Sequence, residues 1–167
     1  NPGTGKTTVA RIMAKMLYDL GLISENKLVE VERKDLVAGY VGQTASKTAE
    51  VIERAMGGVL FIDEAYTLYQ ENNSGSDFGG EAIATLIKAM EDHKGEFVVI
   101  FAGYKSEMSK FLNINPGISS RVGYTFHFPD YTDDEYCEIY YKKMTSLGFI
   151  IEKEAKSSVE RLMKYFC

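Results

Sequence analysis

Two groups of residues in this chain have the types and spacing to act on a nucleotide. The first is the opening run NPGTGKTT, Asn1 to Thr8. Gly5, Lys6 and Thr7 fill the second half of the pattern Gly-x-x-x-x-Gly-Lys-[Ser/Thr], whose first glycine would fall one residue before Asn1. In such a loop consecutive backbone N–H groups turn inward around phosphate oxygens, Lys6 reaches the β and γ phosphates, and Thr7 holds Mg²⁺. A glycine turn ahead of an ordinary helix is the plainer reading of the loop taken alone. The second group is VLFIDEA, Val59 to Ala65, in which a short apolar run ends in two adjacent carboxylates. Asp63 at the end of a buried strand can coordinate Mg²⁺ through water. Glu64 beside it can orient or deprotonate the attacking water. The plainer reading here is two solvated carboxylates at a strand end, and it weakens once a phosphate loop is present.

These residues need a parallel sheet to carry them. Val9, Ile12, Met13, Met16, Leu17 and Leu20 recur on one helical stripe, which predicts a helix from Lys6 or Thr7 that stops at Gly21. LVEV (Leu28 to Val31), VLFI (Val59 to Ile62), FVVIFA (Phe97 to Ala102) and YTFHF (Tyr124 to Phe128) read as strands. Helices are expected over about 44–56, closed by Gly57 and Gly58, over 81–91 and over 106–112, with a turn at NPG, Asn115 to Gly117. Gln70 to Gly80 reads as a mobile, glycine-rich loop. Strands alternating with helices indicate an α/β layered domain. Past Pro129, Thr132 and Glu135 form a capping box that opens a helix to about Leu147, and a second helix is expected over 152–166. The expected organisation is an α/β nucleotide-binding core over 1–130, lacking its N-terminal strand because the chain starts inside the loop, followed by a partial helical lid over 131–167.

Composition narrows the class. The 167 residues, 45% hydrophobic and 26% charged, are enough for one ordinary domain with a core, perhaps joined by a small appendage. A net charge of −5 disfavours a nucleic-acid or anionic-membrane partner. Apolar runs of four to six residues are too short to span a membrane. Cys137 and Cys167 lack metal-ligand spacing and suit a reducing compartment, so a cytoplasmic location is expected. His127 reads as a packing or surface residue of a strand, and His93 as a residue at the negative end of a helix.

With these residues in place, the whole chain resembles the AAA+ ATPases, and within them the group containing stage V sporulation protein K and the red-type rubisco activase CbbX. The resemblance rests on NPGTGKTT, LVAGYVGQT (Leu36 to Thr44), GGVLFIDEAYTL (Gly57 to Leu68), FGGEAIATLIKAMED (Phe78 to Asp92), VVIFAGYK (Val98 to Lys105), NPGISSR and FPDYTDDE. It implies a P-loop sheet ordered five, one, four, three, two, with the strand ahead of the loop in the middle.

The resemblance also implies roles for individual positions. ATP would be bound by Pro2, Gly3, Thr4, Gly5, Lys6, Thr7 and Thr8 with Asp63 and Tyr104, and Mg²⁺ by Thr7 and Asp63. Lys6, Glu64 and Arg121 would be catalytic. Arg121 falls where the family places an arginine finger that reaches a neighbouring subunit's nucleotide, a contribution of about 10³ to 10⁵ in rate. At about 1.4 kcal/mol per decade that is roughly 4 to 7 kcal/mol of barrier. Many relatives carry a second basic residue shortly before the finger, where this chain has Ser119 and Ser120. Tyr104, in AGYK, stands where many relatives place a polar sensor, and the second sensor would lie beyond Cys167. Tyr40, Val41 and Gly42 match a pore loop that grips a threaded polypeptide; without the family, Tyr40 is a loop tyrosine over a local apolar patch. The implied protein is a ring-forming homo-oligomer, of six subunits by resemblance, that hydrolyses ATP to remodel a protein client. A DNA-directed loader and an ATP-binding scaffold without turnover are the alternatives.

Overall fold

Val59–Ile62 is buried residue for residue, as a strand must be when helices cover both faces of its sheet. In the computed structural model, which describes residues 5–40, 42–69, 78–129 and 131–150, this run is the central strand β2 of a three-stranded parallel sheet. β1 (Leu28–Val31) lies on one side of it and β3 (Val98–Phe101) on the other. The register pairs Val31 with Ile62 and Ile62 with Phe101, so the three strands end level at their C-terminal edge.

Among the described residues six helices belong with this sheet: α1 (Lys6–Asp19), α2 (Arg33–Leu36), α3 (Thr44–Ala55), α4 (Gly79–Asp92), α5 (Lys105–Ile114) and α6 (Pro116–Ser119). A 3₁₀ turn, Ala65–Leu68, follows β2. The two faces of β2 make separate cores. Leu60 and Ile62 pack in the cluster that holds Val51, Ile52 and Ala55 of α3 with Ala82, Ile83 and Leu86 of α4. On the opposite face, Phe61 meets Ala10 of α1 and Ala102, while Val59 meets Ala14 and Ile23. Burying one such large side chain stabilises the fold by about 1.5–3 kcal/mol, as an upper estimate. The layers are therefore helix, sheet, helix. The chain divides into two compact units, residues 1–127 and 128–167. The second holds α7 (Asp133–Ser146), opened by a capping box in which Thr132 N donates to Glu135 Oε2 at 2.8 Å and Glu135 N to Thr132 Oγ1 at 3.3 Å.

Four expectations are corrected. The run Tyr124 to Phe128 forms no strand: none of the three strands pairs with it, and Tyr124 and Phe126 remain 86% and 64% exposed. Its alternation marks a strand only where a neighbour supplies the ladder. Asn115 to Gly117 is not a bare turn but the entry to α6, with Pro116 in the first helical turn where its missing N–H costs nothing. α4 starts at Gly79, so the last part of the expected loop is helix, while 70–77 lies outside the described residues. The stripe on α1 splits: Val9, Met13 and Leu17 are half-buried, whereas Ile12, Met16 and Leu20 are exposed. The expected helix over 152–166 also lies outside the described residues.

Candidate nucleotide site

Gly5 is the N-cap of α1 at φ 85°, a left-handed conformation that glycine adopts without a Cβ clash. The helix it opens has fourteen residues and no acidic side chain in its first turn, so its positive end is not offset by a carboxylate of its own. Lys6, in that turn, places Nζ 5.6 Å from the ring centroid of Tyr104. Thr7 is half-buried and Thr8 exposed. Pro2, Gly3 and Thr4 lie outside the described residues.

Thr7 and Asp63 line one cavity of about 350 Å³, together with Phe61, Glu30, Lys34 and Asp35. A hydroxyl and a carboxylate facing one space are hard oxygen donors of the kind Mg²⁺ takes alongside phosphate oxygens and water. The donor set and the helix end therefore fit a magnesium nucleotide, with Thr7 and Asp63 as the residues that could hold the metal.

The sheet aims the second carboxylate. Asp63 N donates to Val31 O at 2.9 Å, and Ala65 N to Ala102 O at 2.9 Å, so the ladder runs past the end of β2 on both sides. Between these anchors Glu64 turns to φ 48° and ψ 43°, the one non-glycine residue at positive φ among the described residues. A left-handed non-glycine residue costs about 1–3 kcal/mol and persists only where its surroundings fix it. Here Glu64 N donates to Asp63 Oδ1 at 3.0 Å, while Thr67 N and Oγ1 donate to Glu64 O at 2.8 and 2.7 Å. The Glu64 carboxylate in turn accepts a hydrogen bond from the Tyr66 hydroxyl. Burial, and next the Glu64 carboxylate, hold the Tyr66 phenol well above the usual tyrosine range, so it remains a donor. The rings of Tyr66 and Tyr104 lie 6.1 Å apart at 48°. Lys6, Tyr104, Tyr66 and Glu64 thus form one continuous row of contacts. Sequence reasoning had singled out three of them and missed Tyr66, whose signal was its place two residues after the glutamate.

The remaining positions lie apart from this row. Arg121 Nη2 contacts Glu91 Oε2 at 2.5 Å and Nη1 donates to Gly117 O at 2.9 Å, which seats the guanidinium near the C-terminal end of α4. At 1.5 Å per residue, Glu91 is about 18 Å along α4 from Gly79, where the helix abuts the Leu68 carbonyl. Tyr40 is 74% exposed, at the tip of a connection whose base is fastened to α3. Two buried threonines do the fastening: Thr48 Oγ1 donates to Leu36 O, and Thr44 Oγ1 accepts from Ala38 N, both at 3.0 Å. Gly42 follows at φ 78°, and Val41 lies outside the described residues.

A parallel sheet with helices on both faces, carrying a Gly-Lys-Thr helix start and a carboxylate pair level with it, defines a P-loop NTPase of the α/β class. Residues 1–129 match the family described as ATPase family associated with various cellular activities (AAA), and the chain belongs to that family. Among similar proteins, it is 49% identical over 168 residues to the Protein CfxQ homolog of Pyropia yezoensis, covering 98% of this chain and 56% of that protein. It is 55% identical over 135 residues to the chloroplastic ribulose bisphosphate carboxylase/oxygenase activase of Cyanidioschyzon merolae, covering 81% of this chain and 46% of that one. To stage V sporulation protein K of Bacillus subtilis it is 46% identical over 156 residues, covering 93% and 48%. The chain spans about half the length of the curated relatives it matches. Among the described residues, no helix is long and apolar enough to cross a membrane.

Proposed function

We propose that this protein is an ATP-hydrolysing remodelling enzyme that works as a ring and acts on a protein client. The observation that carries the reading is the shared cavity of Thr7 and Asp63 beside the start of α1, with Glu64 next in sequence. Lys6 and the first N–H groups of α1 bind the phosphates. Pro2, Gly3, Thr4, Gly5 and Thr8 are assigned to ATP binding with them by the family resemblance. Thr7 and Asp63 hold Mg²⁺, which when bound neutralises charge that develops on the phosphate oxygens. Glu64 orients a water and accepts its proton, and Tyr104, whose ring lies against the Lys6 ammonium, helps bind ATP at the sensor position.

Arg121 serves a neighbouring subunit rather than its own site. Its seat on α4, away from the row that ends in Glu64, supports that assignment. A planar guanidinium with forked donors suits the phosphoryl group in transfer. The ring is a homo-oligomer, six subunits by family resemblance, and its client is a protein gripped by Tyr40, Val41 and Gly42. The exposure of Tyr40 on a fastened base favours that role over covering a local apolar patch. The proposal carries a cytoplasmic location.

The test is ATP binding and phosphate release in Lys6→Ala and Glu64→Gln. Loss of binding in the first, and retained binding with turnover lost in the second, is the expected pair of results. Native turnover in Glu64→Gln would contradict the proposal.

A further inference from the structure

We propose that Tyr66 is a positioning residue for the hydrolytic step: its phenol O–H, donated to one oxygen of Glu64, holds that carboxylate in the orientation that presents the other oxygen to water. This rests on the reading of Glu64 as the residue that activates water.

The geometry is unusual for two residues so close in sequence. In a helix, side chains at i and i+2 point to different faces, and in a strand they share a face but stand roughly 6.6 Å apart. They meet here because Glu64 is left-handed and the chain tightens at once into the 3₁₀ turn Ala65–Leu68. The turn is closed by Thr67 N to Glu64 O at 2.8 Å and Tyr69 N to Tyr66 O at 3.1 Å.

Packing, not the hydrogen bond, fixes where the phenol sits. A Cβ on Gly103 would meet Tyr66 Cδ1 at 2.8 Å and Cε1 at 3.0 Å, so the Tyr66 ring lies in the space that the missing side chain leaves. Tyr104 packs on the ring from the side that leads to Lys6. The hydroxyl is therefore delivered to Glu64 by a ring already immobilised, and little entropy is lost in making the bond.

The bond also leaves Glu64 chemically competent. A carboxylate offers about four acceptor sites on two oxygens, and Tyr66 occupies Oε2 alone among those described. No proton need move between the two groups. What the contact removes is rotation of the carboxylate, and misplacement of a reacting group by about 1 Å can cost on the order of 10²-fold in rate.

The experiment uses the full chain with ATP and Mg²⁺, measuring steady-state phosphate release, nucleotide affinity and single-turnover rates. Tyr66→Phe deletes one oxygen and keeps the ring. The expected result is a fall in kcat of about 10-fold or more, with KM and nucleotide Kd unchanged within about twofold. The same change made on top of Glu64→Gln is expected to leave the residual rate where it was, because the two residues act through one carboxylate. A purely structural loss would lower both rates and would move Kd. Native or raised kcat in Tyr66→Phe, with Glu64→Gln inactive, overturns the role of Tyr66 and leaves that of Glu64 standing. Full turnover in Glu64→Gln overturns both.

Discussion

Arg121 and Glu91 form an ion pair at 2.5 Å, Nη2 to Oε2, between the second residue after α6 and the last turn of α4. The Glu91 side chain is 69% exposed and that of Arg121 28%, so water screens the pair. Glu91→Gln is expected to change unfolding free energy by less than about 1 kcal/mol. Under the role proposed for Arg121, the Glu91 carboxylate would compete with phosphate for the guanidinium fork, and the same variant is expected to keep native turnover or exceed it. Denaturant unfolding and phosphate release measure the two effects. A loss of turnover as deep as that of Arg121→Ala would mean that Glu91 supports the finger.

Tyr104 faces Lys6 with its ring, not its hydroxyl. Tyr104→Phe is therefore expected to bind ATP within about twofold of native, while Tyr104→Ala weakens binding by roughly 0.5–2 kcal/mol, or about 2- to 30-fold. Titration with a fluorescent ATP analogue reads both. Equal weakening in the two variants would place the effect on the hydroxyl.

Gly79 admits no side chain. A Cβ there would stand 1.9 Å from Leu68 O and 2.9 Å from Arg33 Nη1. Neither can retreat freely, since Leu68 is backbone and the Arg33 guanidinium donates to Thr67 O at 2.5 Å. Gly79→Ala is expected to destabilise by about 1–3 kcal/mol and to impair turnover, because the displaced turn begins at Glu64. Thermal unfolding checks this, and a melting temperature equal to native would refute it.

The raised titration of Tyr66 has a defined sign. Its ordinary value is 10.0, and burial, then the Glu64 carboxylate, lift it in the folded state. Above pH 10.0 the unfolded chain releases this proton while the folded one keeps it, so stability falls as pH rises through that window. Urea unfolding at about pH 8 and about pH 10.5 is expected to show a larger loss in native protein than in Tyr66→Phe. Equal losses would argue against a protonated Tyr66 donor in the folded state.

Much of the scaffold was legible because single residues settle it. Four apolar residues closed by Asp63 suit a strand covered on both faces, as β2 is, and Thr132 with Glu135 marked the start of α7. Glycines marked the ends of α1 and α7, where Gly21 and Gly148 take φ 70° and 84°. What failed depends on neighbours. Tyr124 to Phe128 has the alternation of a strand without a ladder partner among the three seen, and the stripe on α1 gave the period without saying which half meets the sheet. α2 was missed although Glu32 and Asp35 signal it: Glu32 N donates to Asp35 Oδ2 at 2.9 Å. The Tyr66–Glu64 contact depends on the left-handed Glu64 and the 3₁₀ turn that follows it, neither of which helix or strand spacing announces.

The central claim is that ATP is hydrolysed between subunits, with Glu64 of one and Arg121 of the next. Phosphate release from a mixture of Glu64→Gln and Arg121→Ala proteins tests it most directly. Each variant alone is expected to be about 10³-fold or more below native. Random mixing in a ring would join an intact Glu64 to an intact Arg121 at about one interface in four. The mixture is therefore expected to recover a substantial part of native turnover, and the specific rate to rise with protein concentration. A mixture as inactive as its components would contradict the account.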